Sequence, residues 1–139
     1  MTQDPESRLV QLDAQACVRL LAAPEFGRLA VVADGRPVIV VLNYLVDGPD
    51  VTFRTDADAL LSRLTLDGNT VPAVFEVDSA SPVGRSGWSV IAHGLLMRET
   101  DPDRCAAARS RIVAWAEGER DTVLRLKVDE LSGRQVGPL

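Results

Sequence analysis

Apolar residues recur along this chain at two spacings, and the switches between them divide it into strands and short helices. "DAQACVRLLAAP" opens on Asp13, a side chain suited to cap a helix start. It places Cys17, Leu20 and Leu21 on one helical face, which predicts a helix over about 14–23 that Pro24 stops. "GRLAVVADGRPVIVVLNYL" reads as two strands joined at Asp34-Gly35, a strong hairpin signal. The second of them is apolar at nearly every position from Val38 to Leu42 and is expected to be buried on both faces.

After the turn at Asp47-Gly48-Pro49, Val51 to Thr55 forms a third strand. A helix opened by Asp56 or Asp58 follows at once, burying Leu60, Leu61 and Leu64 and ending near Asp67-Gly68. "TVPAVFEVD" alternates as a fourth strand, "SASPVGRSG" is a loop, and "WSVIAHGLLMRET" is a long fifth strand with Gly94 at a bulge or kink. Asp101-Pro102 opens a helix on which Cys105, Ala108, Ile112 and Trp115 recur, so Trp115 is expected to close that helix against the core. "TVLRLKVDEL" ends the set as a sixth strand. Residues 1–8 are polar and expected to be frayed.

Six strands joined mostly by hairpins cannot be a doubly wound parallel sheet, which needs a helical crossover after nearly every strand. The pattern predicts a mainly β fold: a six-stranded antiparallel barrel, Greek-key-like, with short helices plugging its ends, as a single domain over 1–139.

Composition narrows the function classes. A formal net charge of −5 argues against a nucleic-acid or membrane-surface role, which needs a basic face. No segment approaches the roughly 20 apolar residues of a membrane span and no leader pattern opens the chain, so the cytoplasm is the expected compartment. Cys17, Cys105 and the single His93 have no metal-site spacing, and two buried thiols are the expectation. No catalytic residue can be named; mid-strand, His93 reads as a packed, hydrogen-bonded imidazole.

Three places could hold a ligand. Arg54 and Thr55 bring a guanidinium and a hydroxyl to a strand end that runs into a helix start, a combination suited to a phosphate. The ordinary alternative is an arginine along a strand edge and a threonine that caps the helix. Asn43-Tyr44 ends an apolar strand with an amide that must be satisfied by a ligand or by a neighbouring backbone group. Trp88-Ser89 sets an indole at a strand mouth, under a ligand or capping the barrel.

The ordered set Gly27-Arg28-Leu29-Ala30, Asp34-Gly35-Arg36-Pro37, Asn43-Tyr44, Phe53-Arg54-Thr55 and Gly87-Trp88-Ser89-Val90, with the closing "LSGRQV", resembles the pyridoxamine 5'-phosphate oxidase-like family of FMN-binding split barrels, in its actinobacterial branch. The resemblance covers about residues 9–135. It implies a split β-barrel that forms a homodimer with FMN in clefts between subunits, and an oxidoreductase acting on an unknown small substrate. The phosphate would lie against Phe53, Arg54 and Thr55, the ring along Val41, Leu42, Asn43 and Tyr44, and Trp88 and Ser89 near the ring. The chain departs from the family where a lysine usually reaches the phosphate: here Leu60 stands, preceded by Asp56 and Asp58, with Arg63 one turn on as the substitute cation. That departure implies FMN bound weakly or lost. The alternative is a non-catalytic protein that binds or senses a flavin, a deazaflavin or haem.

Overall fold

Asp34 and Gly35 both take positive φ, 52° and 74°, and so make the tight primed turn that lets two twisted strands pair without splaying. That hairpin joins β2 (Phe26–Ala33) to β3 (Arg36–Asp47) and seeds the sheet of this computed structural model, which describes residues 9–115, 118 and 120–137. The expected fraying of residues 1–8 lies outside the described residues. Around the hairpin stand β1 (Leu9–Gln11), α1 (Ala14–Leu21), β4 (Asp50–Thr55), α2 (Leu60–Leu64), a 3₁₀ turn (Leu66–Gly68), β5 (Val71–Ser81), β6 (Ser86–Arg98), α3 (Pro102–Arg111) and β7 (Thr122–Val136).

The strand order is β1-β7-β4-β3-β2-β5-β6, and β6 pairs again with β7. Six strands therefore close into an antiparallel split barrel, as the pattern predicts, and β1 is a short seventh strand added beside the ring. Two meanders, β2-β3-β4 and β5-β6-β7, are joined by the crossover that carries α2. The β6–β7 register slips at His93/Gly94, where a Cβ on Gly94 would sit 2.1 Å from the Lys127 carbonyl oxygen. Only glycine lets the two backbones approach there, so Gly94 does mark the bulge.

Inside the barrel Phe53, Phe75, Leu29, Leu61, Leu96, Leu124 and Leu126 are fully buried, with Tyr44 and Phe53 each edge-on to Phe75. Asp13 caps α1 as expected, accepting the Ala16 N–H at 2.8 Å, and α1 delivers Cys17 and Leu21 to this core. A second small cluster, Cys105, Ala108, Ile112 and Val123 with Leu45, seats α3 on the outside of the sheet.

Two expectations are corrected. The strand covered on both faces is β4, under α3, and not β3: the outward Ile39 and Val41 are 67% and 61% exposed, and Val32 on β2 is 62% exposed. Trp115 does not belong to α3. The helix ends at Arg111, Ile112 is already extended, and Trp115 is 61% exposed with its ring edge against Phe26. Among the described residues no helix is long and apolar enough to cross a membrane.

Candidate functional site

Alternation along β3 sorts the residues proposed to line a ring. Leu42 and Tyr44 point into the barrel and are buried, whereas Val41 and Asn43 face out. The Tyr44 hydroxyl donates to the Leu21 carbonyl, and burial pushes its phenol well above the ordinary value. The Asn43 amide is satisfied by backbone at both ends: Nδ2 donates to the Glu25 carbonyl at 3.1 Å, and Oδ1 accepts the Trp115 N–H at 3.0 Å. What β3 offers a ligand is thus an apolar outer strip, Ile39 and Val41, continued on β2 by Phe26 at one end and Val32 at the other.

The end of β4 is organised differently. Phe53 is core and Thr55 is buried. The Arg54 guanidinium donates from Nε to the Arg120 carbonyl at 2.9 Å and from Nη1 to the Arg109 and Ile112 carbonyls at 3.1 and 2.8 Å. It holds the C-terminal end of α3, where carbonyls lack intrahelical partners and a cation is favoured. The helix after β4 does not open at Asp56 or Asp58: α2 starts at Leu60 with Ala59 as an N-cap that makes no side-chain bond. Arg63 Nη1 donates to the Asp58 carbonyl at 2.6 Å. The adjoining cavity, about 550 Å³, is lined by Asp56, Asp58 and Asp121, and Asp56 lies 3.6 Å from Arg120.

These residues do not fit an FMN phosphate. The guanidiniums of Arg54 and Arg63 are turned to carbonyls, the half-buried Leu60 supplies no charge, and three carboxylates line the space a dianion would enter. The apolar outer strip of β3, by contrast, fits the flat face of an aromatic ring.

Trp88 packs at the rim of the main core, while Ser89 faces outward on β6. β6 is three strands from β3, roughly 14 Å at the usual strand spacing. A single protomer therefore does not bring Trp88 and Ser89 to the β3 strip. His93 is also outward, in one cross-sheet row with Ile39, Ala30 and Val74. It is exposed, not packed as the sequence suggests.

Two charged clusters escaped the sequence reading. Arg28 Nη1 lies 3.0 Å from both Glu76 Oε1 and Asp78 Oδ2. Desolvation, with Asp78 alongside, raises the Glu76 carboxyl above its ordinary value despite Arg28. Arg125 is nearly buried and meets Glu99 at 2.5 Å, Asp50 at 2.7 Å and Asp47 at 3.1 Å. Burial opposes ionisation of Glu99, yet hydrogen bonds from Arg125 and the Asp101 N–H hold its carboxyl below the ordinary value. The available signals were an arginine within the apolar "VLRLKV" and two acids at i, i+2 in "FEVD", which strand alternation puts on one face.

Residues 13–135 match the pyridoxamine 5'-phosphate oxidase family. The chain is 31% identical over 131 residues to the Mycobacterium tuberculosis protein Rv0080, an alignment covering 92% of this chain and 86% of that one. Its fold is shared with a conserved protein of unknown function from Corynebacterium diphtheriae (TM-score 0.73, 26% identity, 92% and 98% of the two chains). It is shared also with a FAD-binding protein of Mesorhizobium loti (TM-score 0.74, 22% identity, 93% and 99%). A FAD-binding protein of Mycobacterium smegmatis has it too (TM-score 0.67, 23% identity, 92% and 98%). With a family match over almost the whole described chain and a relative above 30% identity, this chain belongs to the pyridoxamine 5'-phosphate oxidase family.

Proposed function

We propose that this chain is a flavin-binding, oxidoreductase-type protein that works as a homodimer, with the flavin ring against the outer strip of β3 and little of its affinity drawn from a phosphate. The observation that carries this reading is the exposed apolar pair Ile39 and Val41 in a family whose structural relatives include proteins that bind FAD. Water-facing apolar strips of this kind in small soluble proteins mark ligand or protein contacts. A second copy laid over the same strip, related by a two-fold axis, covers both patches at once. A flavin, when bound, supplies the electron-transfer chemistry. This chain's own part is to present an apolar floor, to keep the Asn43 amide tied to backbone, and to shield the ring from water.

A second reading, a non-catalytic protein that binds or senses a flavin, a deazaflavin or haem, is favoured by the position of His93. It is the single histidine of the chain, and it stands three strands from the β3 strip.

Fluorescence titration with FMN and riboflavin tests the ring-dominated site. The two affinities are expected to agree within about threefold, because a phosphate contact worth roughly 1.5–3 kcal/mol would separate them by about 10–100-fold. FMN tighter by that margin would show a phosphate site that the β4 end does not supply. A colourless protein that takes up neither flavin would end the flavin reading. Sedimentation should give twice the 15.0 kDa chain mass at micromolar concentration, and a monomer would refute the dimer.

A further inference from the structure

A cavity of about 640 Å³ lies on the outer face of the β5–β6 hairpin where it meets the end of β7. We propose that it is a separate ligand site for a small zwitterion carrying an ammonium group at one end and a phosphate or carboxylate at the other. The inference rests on residues of a single protomer and stands whether or not the chain binds a flavin.

Pairing places Asp78 opposite Ser89 and Ser89 opposite Arg134, so an acid, a hydroxyl and a base form one row across three strands, roughly 10 Å from end to end. At the acidic end Glu76 and Asp78 share one nitrogen of Arg28, leaving two carboxylates for a single guanidinium. Burial, with Asp78 alongside, raises the Glu76 carboxyl, and an incoming ammonium would favour its charged form. At the basic end Arg134 and Arg85 both line the cavity, and neither guanidinium makes a hydrogen bond or ion pair with a described residue. A simple anion drawn to Arg134 would meet the repulsion of Glu76 and Asp78. A simple cation drawn to those acids would meet Arg85 and Arg134. A molecule bearing both charges, spaced to bridge Ser89, satisfies each end without opposing the other, and charge complementarity at both ends sets its selectivity.

The probes are phosphoethanolamine and 4-aminobutyrate as phosphate and carboxylate zwitterions, with inorganic phosphate and ethanolamine as the separate halves. Calorimetric titration of the full chain without flavin should show saturable binding of at least one zwitterion, at least about tenfold tighter than either half. The better of the two identifies the anionic group. Arg134→Gln and Asp78→Asn should each weaken it by about tenfold or more, while Arg63→Gln, on α2, should leave it unchanged. Circular dichroism checks that each variant is folded. Because Ser89 also belongs to the pair assigned to a flavin, the titration is repeated with riboflavin present. Failure of riboflavin to bind leaves the zwitterion result standing. The proposal is overturned if neither zwitterion binds saturably, if inorganic phosphate alone binds as tightly, or if folded Arg134→Gln and Asp78→Asn both bind like the parent.

Discussion

Arg125 and Arg134 belong to the same strand, β7, yet the first is nearly buried among three carboxylates and the second stands at a cavity with no partner among the described residues. What separates them is the layer outside the strand. Near Arg125 the sheet is covered by the turn between β3 and β4 and by the segment leading into α3, whose Asp47, Asp50 and Glu99 point back at it. Near Arg134 the helix contact comes from α1, whose Cys17 meets the backbone at Gly133 on the inner side, so no described residue covers the outer side of Arg134. Arg54 on β4 follows Arg125: α3 lies outside it and engages its guanidinium. Coverage by the next layer, more than the local motif, thus decides which cations can meet a ligand.

Removing a closed cation should cost most. Arg125→Met leaves Glu99 and Asp50, both almost inaccessible, without their counter-charge and should lower stability by about 3–5 kcal/mol, read by urea unfolding. Arg134→Met should move it by no more than about 0.5 kcal/mol. Equal losses in the two variants would erase the distinction between the closed and open ends.

Arg54→Ala comes next. It removes three hydrogen bonds to the C-terminal end of α3 and the loop beyond, and should cost about 2–3 kcal/mol while leaving the FMN to riboflavin affinity ratio where it was. A stable variant that loses FMN but keeps riboflavin would mean that Arg54 turns toward a phosphate after all.

These two arginines also show what could be read from the sequence. The hairpin at Asp34-Gly35, the barrel class, the Asp13 and Asp101 caps and the Gly94 bulge all follow from local chemistry, and local chemistry is what a sequence displays. The sequence marks Arg54 as a cation at a strand end suited to a phosphate, but its partners, Arg109, Ile112 and Arg120, are remote in sequence and appear only when α3 folds over β4. The unbroken apolar run of β3 predicts burial on both faces, yet a run of that kind also suits a strand with one face kept for a ligand or a second copy. The Cys105, Ala108, Ile112 spacing continues to Trp115 and so predicts it on α3, although the backbone turns extended at Ile112. Since its ring lies on the surface against Phe26, Trp115→Ala should cost at most about 1 kcal/mol in unfolding free energy, well below the 3–5 kcal/mol of a buried tryptophan. A loss in the larger range would return Trp115 to the core.

The smallest effect separates the two ends by sign. At the closed end the Glu99 carboxyl is held below its ordinary value in the folded chain, so its ionisation stabilises the fold above the unfolded pKa near 4.5 and that stability is lost as pH falls through the folded value. At the open end the Glu76 carboxyl is raised, so it is more easily ionised unfolded than folded. Its contribution declines as pH climbs from about 4.5 through the raised value, and it stays unfavourable at neutrality. Glu99→Gln should therefore lower the melting temperature at pH 7 and flatten its fall on acidification. Glu76→Gln keeps the shape and an acceptor for Arg28 but removes one of two crowded charges. It should leave the pH 7 melting temperature unchanged or raise it by about 1–2 °C, with any gain fading toward pH 4. Thermal melts of the parent and both variants from pH 7 to pH 3.5 resolve the two signs. A Glu76→Gln variant clearly less stable than the parent at pH 7 would show that Arg28 neutralises both carboxylates fully, and the acidic end of the cavity would then carry no charge left over for an ammonium group.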